Sequence, residues 1–279
     1  MLTLNTDQLS TQEIQQYLQY AIAPRPICFA STIDIEGNVN LSPFSFFNLF
    51  SMNPPICIFS PSRRVRDNTN KHTLENIKEV PECVINIVNY NMVQQVSLSS
   101  CDYPKGTSEF TKAGFTELAS ELVRPPRVAE SPIQLECIVQ EVIALGTQAG
   151  AGNLVLAEIK KIHLHESILD ASNHIDQAKL DLVARLGGDW YARITEANLF
   201  KVEKPNTKLG IGFDQLPQAI KESSLFTLNE KAQLANTSIL PLLNITNELK
   251  LSSQKIQEIK AALSNNETEL AWAIIQTLV

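Results

Sequence analysis

The densest chemistry in the sequence lies in the run Pro61-Ser62-Arg63-Arg64-Val65-Arg66-Asp67-Asn68-Thr69-Asn70-Lys71-His72-Thr73, which gathers cations in a chain of formal net charge −7. Hydroxyl and amide side chains are interleaved with the arginines and the lysine. A helix is expected where the run ends, with Thr73 as its N-cap and Asn76 three residues on. A helix N-terminus offers free N–H groups at the positive end of its dipole, and nearby Arg and Lys add full charges; together they suit a phosphate. A solvated basic loop is the alternative reading, because charge runs commonly just face water.

These residues must be held by the elements around them. Ser10-Thr11-Gln12-Glu13 has the form of a capping box and opens a helix to about Tyr20, which Pro24 and Pro26 end. Strands are expected at 27–34, 39–50 and 56–60, the first two joined by a hairpin turn with Gly37 at positive φ. The apolar phase slips at Phe46-Phe47, which signals a bulge or bend. A helix at about 73–79, a strand at 83–88, and helices at 90–99 and 107–113 follow, then two long strands at 133–145 and 153–166. Strands with helices in the connections suggest a mainly β chain, an antiparallel barrel with helical insertions, rather than alternating βαβ units. After about 204 the composition changes. Lys204-Pro205-Asn206 reads as a linker, and helices are expected at 228–235, 251–263 and 267–278. The domains are therefore expected to be 1–204 and a helical extension, 205–279.

Composition limits the possible functions. A chain of 279 residues with 44% hydrophobic residues can bury a sizeable core, so disorder is not expected over most of it. The negative total argues against non-specific nucleic-acid binding. The N-terminal stretch has neither a basic n-region nor an apolar h-region, and no apolar run is long enough to span a bilayer, so a soluble cytoplasmic chain is expected. The 5 cysteines, Cys28, Cys57, Cys83, Cys101 and Cys137, form no C-x-x-C pair and read as reduced thiols, four of them buried. His163 and His165 share a strand face; half a metal site is one reading, an exposed polar face the favoured one. The phenylalanines 44, 46, 47 and 50 are expected to be mostly core. Arg25 either lies buried against a carboxylate or faces a site. No G-x-S-x-G, H-E-x-x-H or Walker-type motif is present.

The order Pro24-Arg25-Pro26-Ile27, Asn40-Leu41-Ser42-Pro43-Phe44-Ser45-Phe46-Phe47-Asn48, Asn53-Pro54-Pro55 and Lys71-His72-Thr73-Leu74-Glu75-Asn76-Ile77 resembles the flavin reductase-like family. The resemblance continues through Pro125-Pro126-Arg127-Val128, Leu135-Glu136-Cys137, Gly152-Asn153-Leu154-Val155 and Ala184-Arg185-Leu186-Gly187-Gly188-Asp189-Trp190-Tyr191, about residues 20–192. It implies an FMN-binding split β-barrel, antiparallel and Greek-key-like, in a homodimer with the flavin at the subunit interface. It implies that Ser42, Pro43, Phe44, Ser45 and Asn48 line the isoalloxazine ring. Ser60, Ser62, Arg63, Lys71, His72 and Thr73 would hold the phosphate. Asn153, Arg185, Gly187 and Tyr191 would lie on the nicotinamide or substrate side. Asn153 departs from the Gly-Asp-His of many short relatives, which leaves the electron donor open.

The expected activity is an FMN-dependent oxidoreductase passing electrons from NAD(P)H or a redox partner to a small-molecule or protein acceptor. Such chemistry resides in the flavin, and the protein supplies small polar groups rather than a catalytic triad. The alternatives are a non-turnover FMN-binding electron carrier or redox-responsive interaction module, and an activity like that of pyridoxamine-phosphate oxidase, for which no pyridoxal phosphate segment is visible.

Overall fold

The computed structural model describes residues 1–202, 204, 209–238 and 252–276. Its contacts divide the chain into two compact units, Met1–Leu199 and Phe200–Val279. In chain order the first unit contains α1 (Thr11–Ala21), β1 (Arg25–Pro26), β2 (Cys28–Ile33), β3 (Val39–Phe44), β4 (Phe47–Met52), β5 (Pro55–Phe59), α2 (His72–Glu79), β6 (Glu82–Ile87), α3 (Val93–Ser99) and α4 (Glu109–Ala113). It continues with β7 (Glu117–Leu118), β8 (Arg127–Val128), β9 (Ile133–Ala144), β10 (Asn153–Leu164), α5 (Gln177–Leu180), β11 (Val183–Arg185) and β12 (Tyr191–Arg193).

Seven strands form one antiparallel sheet in the order β3-β2-β6-β9-β10-β5-β4. The two edge strands, β3 and β4, are separated in sequence only by Ser45 and Phe46. A linker that short reaches only about 10 Å, so the sheet must roll until its edges meet at one end. The edges do not pair there, and the result is a barrel split between β3 and β4. The expected long strand at 39–50 is thus two strands, bent where the apolar phase slips.

Residues from the barrel strands fill its interior: Cys28, Ala30, Phe44, Cys57, Phe59, Cys83, Ile85, Cys137, Val139, Val155 and Ala157. The rings of Phe44 and Phe59 meet at 5.1 Å across the interior. Four of the five cysteines are buried in this cluster, only Cys101 is exposed, and all five are free thiols. Strand β2 is buried on both faces. Cys28 and Ala30 point into the barrel, whereas Ile27 and Phe29 pack with Met92, Val96 and Phe110 from the segment leading into α3 and from α3 and α4. Each fully buried large side chain contributes about 1.5–3 kcal/mol.

Caps and turns follow the sequence closely. Ser10 and Glu13 form the capping box of α1, and the Asp34 carboxylate accepts from the backbone N–H of Glu36 and Asn38 across a turn with Gly37 at φ +94°. Two local expectations are corrected. Lys71, not Thr73, is the N-cap of α2, and no side chain caps that end. Thr73 lies in the first turn, fully buried, because its hydroxyl is turned onto the sheet to accept from the Asn40 side-chain amide at 2.9 Å. His163 is not on an exposed face. Its Nε2 meets the buried Glu136 carboxylate at 2.7 Å, and that carboxylate also accepts from the backbone N–H groups of Glu121, Leu122 and Val123.

The second unit contains α6 (Gln218–Glu222), α7 (Leu228–Ala235), α8 (Ser253–Ser264) and α9 (Thr268–Gln276). Leu216, Ile220, Phe226, Leu234, Ile259, Leu263, Trp272 and Ile275 form its core. The Trp272 indole donates to the Leu234 carbonyl at 3.0 Å, which satisfies its polar atom without solvent. Pro205 and Asn206 of the expected linker, Leu251 of one expected helix and residues 277 and 278 of another lie outside the described residues. Among the described residues no helix is long and apolar enough to cross a membrane.

Candidate functional site

The segment leaving β5 is tied down at several points. Ser60 N–H donates to the Phe46 carbonyl at 2.9 Å, and its hydroxyl accepts from the Asn153 N–H at 3.1 Å. The Asn153 amide donates to the Pro61 carbonyl at 2.9 Å, Arg63 N–H donates to Ala151, and Gly150 N–H donates back to Arg63. The turn between β9 and β10 therefore fixes the start of the basic run. Gly152 is required for this approach: a Cβ there would lie 2.7 Å from the Ser60 hydroxyl.

Within the run both adjacent arginines brace the loop, Arg64 through Nη1 to the Thr69 hydroxyl at 3.0 Å and the Asn70 carbonyl. The Arg63 guanidinium is used inside the loop, donating to the Asn68 and Asn70 side-chain oxygens at 2.6 and 2.8 Å and to the Asn68 carbonyl. Asn68 itself adopts φ +57°, a conformation its short polar side chain tolerates. Arg64 in addition reaches outward through Nε and Nη2 to Asp102, at 2.9 Å for Nη2, and Arg66 pairs with the same carboxylate. Lys71 differs from all of these. Its ammonium lies 5.8 Å from the centre of the Phe44 ring and, among the described residues, has no hydrogen-bond or ion-pair partner. Burial pushes its pKa below the usual lysine value, the Arg64 charge acts in the same direction, and Asp102 partly opposes both. Ser62 is half-buried beside this loop. His72 is also half-buried and lines a small cleft with Asn40, Asn76 and Lys105.

The segment proposed to face the ring lies at the barrel's split. Ser42, Pro43 and Ser45 are half-buried, Phe44 is buried and Asn48 is exposed, with its side-chain oxygen accepting from Leu49 N–H at 2.8 Å. Lys71 over Phe44 joins this segment to the basic run. Arg25 joins it to the segment after β11. The Arg25 guanidinium is buried, meets no carboxylate among the described residues, and donates to the carbonyls of Gln19, Ile22 and Leu186 at 2.6, 2.7 and 2.8 Å, with Ser45 Oγ at 3.5 Å. It therefore caps the C-terminal end of α1 and brings Leu186 alongside Ser45. Arg185 stacks 4.6 Å over the Tyr191 ring and donates to the Gly188 carbonyl. Gly187 is buried under Tyr20, whose ring atoms would lie 2.3 Å from a Cβ at that position.

The structure thus places Lys71 over Phe44, ties Ser60 to Phe46 and Asn153, turns Arg63 onto Asn68 and Asn70, and separately links Ser45 through Arg25 to the Leu186 carbonyl, next to Arg185. Thr73 faces inward, and Asn153 lies at the base of the basic loop, with its side-chain amide occupied by Pro61. Arg64, Asp102 and Tyr20 were not singled out by the sequence. Arg64 sits in the basic run, but nothing in the sequence of Asp102 or Tyr20 signals a role; both act through tertiary contact.

A rolled antiparallel sheet with one open seam is a split barrel. Residues 20–179 match the model of the flavin reductase like domain, and the chain belongs to that family. An uncharacterized protein of Halalkalibacterium halodurans is 36% identical over 206 residues, covering 73% of this chain and 97% of the relative. The crystal structure of nitrilotriacetate monooxygenase component B from Bacillus cereus is 28% identical, with a TM-score of 0.67 over 72% of this chain and 98% of that one. A crystal structure with a split barrel domain from Shewanella frigidimarina is 25% identical, with a TM-score of 0.61 over 71% of this chain and 95% of that one. Family membership makes this chain a flavoprotein of oxidoreductase kind.

The residues present suit a flavin with a terminal phosphate. A partly buried ammonium without an anion is unfavourable until one arrives. The uncapped N-terminus of α2 beside it adds a favourable dipole for an anion.

Proposed function

We propose that this chain is an FMN-dependent oxidoreductase, with the FMN phosphate on Lys71 and the ring along Ser42, Pro43, Phe44, Ser45 and Asn48. The observation that carries the reading is the Lys71 ammonium, which is partly desolvated, has no anionic partner among the described residues and lies against the buried ring of Phe44. FMN bound there supplies two-electron acceptance from a donor and onward electron transfer to a small-molecule or protein acceptor. The chain's own residues bind and orient. Ser60, Ser62 and the Arg63 backbone shape the phosphate loop, while His72 and Thr73 set the first turn of α2. Arg25 holds Ser45 against the segment of Arg185, Gly187 and Tyr191, where a nicotinamide or acceptor approaches. Tyr20 covers Gly187 and reduces solvent access on that side.

The chain functions in this reading as a cytoplasmic homodimer with the flavin at the interface. Support for the dimer comes from β4 and the residue before it, where Phe46, Leu49, Phe50 and Met52 are exposed, Met52 at 79%. An edge strand carrying that many large apolar groups calls for a cover. Phe46 and Phe50 are accordingly not core, contrary to the sequence expectation, because β4 lies at the barrel's open seam. The five free thiols agree with a reducing compartment.

The alternative reading is an FMN-binding carrier without turnover. Asn153 favours it, since it is buried, donates to the Pro61 carbonyl and stands where many short relatives carry a histidine. Stopped-flow mixing of FMN-loaded protein with NADH and NADPH separates the two. Rapid flavin bleaching with either supports the enzyme, and no bleaching with both supports the carrier.

A further inference from the structure

We propose that α1 is a strap across the FMN cradle, anchored at its Arg25 end and free at its Thr11 end, which opens to exchange the flavin and closes once FMN is in place. The inference rests on the FMN reading above and adds control of flavin entry and release to the same site.

Among the described residues, every other α-helix of the first unit buries at least one apolar side chain: Leu74 and Ile77 in α2, Val96 in α3, Phe110 in α4 and Leu180 in α5. α1 buries none. Its apolar positions Ile14, Tyr17, Leu18 and Ala21 follow helical spacing, yet Ile14 is only half-buried and the other three are exposed. The capping box at Ser10 and the Arg25 contacts define its two ends, but a helix of 11 residues is marginal in water unless packing supports it. Among the described residues, the hydrogen bonds that tie it to the barrel are the two that Arg25 donates to the Gln19 and Ile22 carbonyls. α1 is therefore anchored at its C-terminal end alone.

Its two ends rest on the two flanks of the cradle. At the free end the Thr11 methyl lies against Gly150, where an added Cβ would come within 3.0 Å of it and 3.6 Å of Val65. Gly150 N–H donates to the Arg63 carbonyl, so this footing is the turn that braces the basic run. At the anchored end the Tyr20 ring lies on Gly187 and its hydroxyl reaches Gly188, where a Cβ would be 2.6 Å away. Arg25 joins that end to Ser45 and Leu186. α1 thus runs about 16 Å from the phosphate side of the cradle to its ring side. Each footing is one side chain on a glycine, a contact that opens without exposing a core. FMN held on Lys71 and along Ser45 fixes both flanks at once, which sets both footings in place together.

The test uses the full chain, with hydrogen exchange read by mass spectrometry and FMN association and dissociation followed by flavin fluorescence. In the flavin-free protein the α1 amides are expected to exchange about tenfold or more faster than those of β9 and β10, and saturating FMN is expected to slow them about tenfold. Tyr20→Ala, which removes the footing on Gly187, is expected to raise both rates, dissociation by about tenfold. Tyr20→Phe, which keeps the ring, is expected to retain both wild-type rates. Far-UV circular dichroism checks that each variant is folded. α1 exchange that FMN leaves unchanged overturns the proposal. Unchanged dissociation in Tyr20→Ala overturns it too, and so does faster dissociation with unchanged association, which marks Tyr20 as a simple contact. Saturable FMN binding with any of these results removes only the strap, whereas no saturable FMN binding removes the underlying FMN reading as well.

Discussion

Replacing Lys71 by methionine removes a charge while keeping most of the side chain's apolar length. In the free protein the ammonium is partly desolvated, lies near the like charge of Arg64 and has no anionic partner among the described residues. Its removal should therefore leave the unliganded protein as stable as wild type or more stable. The sign with pH is fixed: a lysine whose folded pKa is depressed destabilises the fold at pH below that folded value, and the penalty fades as pH rises towards the ordinary lysine range. With FMN bound, the same group makes a charge-assisted contact to phosphate worth about 1.5–3 kcal/mol. The Lys71→Met variant should thus bind FMN about 10- to 150-fold more weakly. Riboflavin, which has the ring but no phosphate, should bind wild type and variant within about twofold of each other. Fluorescence titration with the two flavins, paired with thermal melts of the unliganded proteins, reads all three quantities. An FMN affinity unchanged by the substitution, or riboflavin affinity falling in parallel, would refute the phosphate assignment.

Three further perturbations test the scaffold. Glu136→Ala leaves the N–H groups of Glu121, Leu122 and Val123 and the His163 ring without their shared acceptor, and should cost about 3 kcal/mol in urea unfolding. Burial opposes Glu136 ionisation, but those donors hold its pKa below the ordinary value; its contribution is present above the ordinary carboxylate range and is lost as pH falls through the lowered value. Glu109 is the reverse case. Burial raises its pKa while it accepts from Leu41 N–H at 2.9 Å, so Glu109→Gln keeps the bond and drops the buried charge. That variant should melt higher than wild type at pH 8, with the difference vanishing in acid, where the wild-type carboxyl is protonated. Gly152→Ala drives a methyl group into the Ser60 hydroxyl and should weaken FMN binding, and adding Ser60→Ala should restore part of the loss.

Much of this architecture is legible in the sequence because its signals are local. The α1 capping box, the turn at Gly37, the phase slip at Phe46-Phe47 and the alternation of β9 and β10 each follow from a few adjacent residues. The barrel's closure is also readable afterwards, from the short link between β3 and β4, but only once the strand order is known. The site divides in the same way. The basic run announces itself by charge, yet which cation remains without a partner among the described residues depends on how the loop folds on itself and on one distant carboxylate. Arg63 is consumed by Asn68 and Asn70, Arg64 by Asp102, and only the fold leaves Lys71 over. Thr73 misled as an N-cap because its hydroxyl finds Asn40 on β3, a partner 33 residues away in sequence. His163 misled because strand alternation cannot show that the loop before β8 folds over it to share Glu136.

The central claim is that the cradle around Lys71 holds FMN through its phosphate. Calorimetric titration of the purified full chain, stripped of flavin, with FMN tests it most directly. The account predicts saturable binding of one FMN per chain, much tighter than riboflavin under the same conditions, and a yellow protein that releases FMN on denaturation. A colourless protein that shows no saturable heat with added FMN would contradict it.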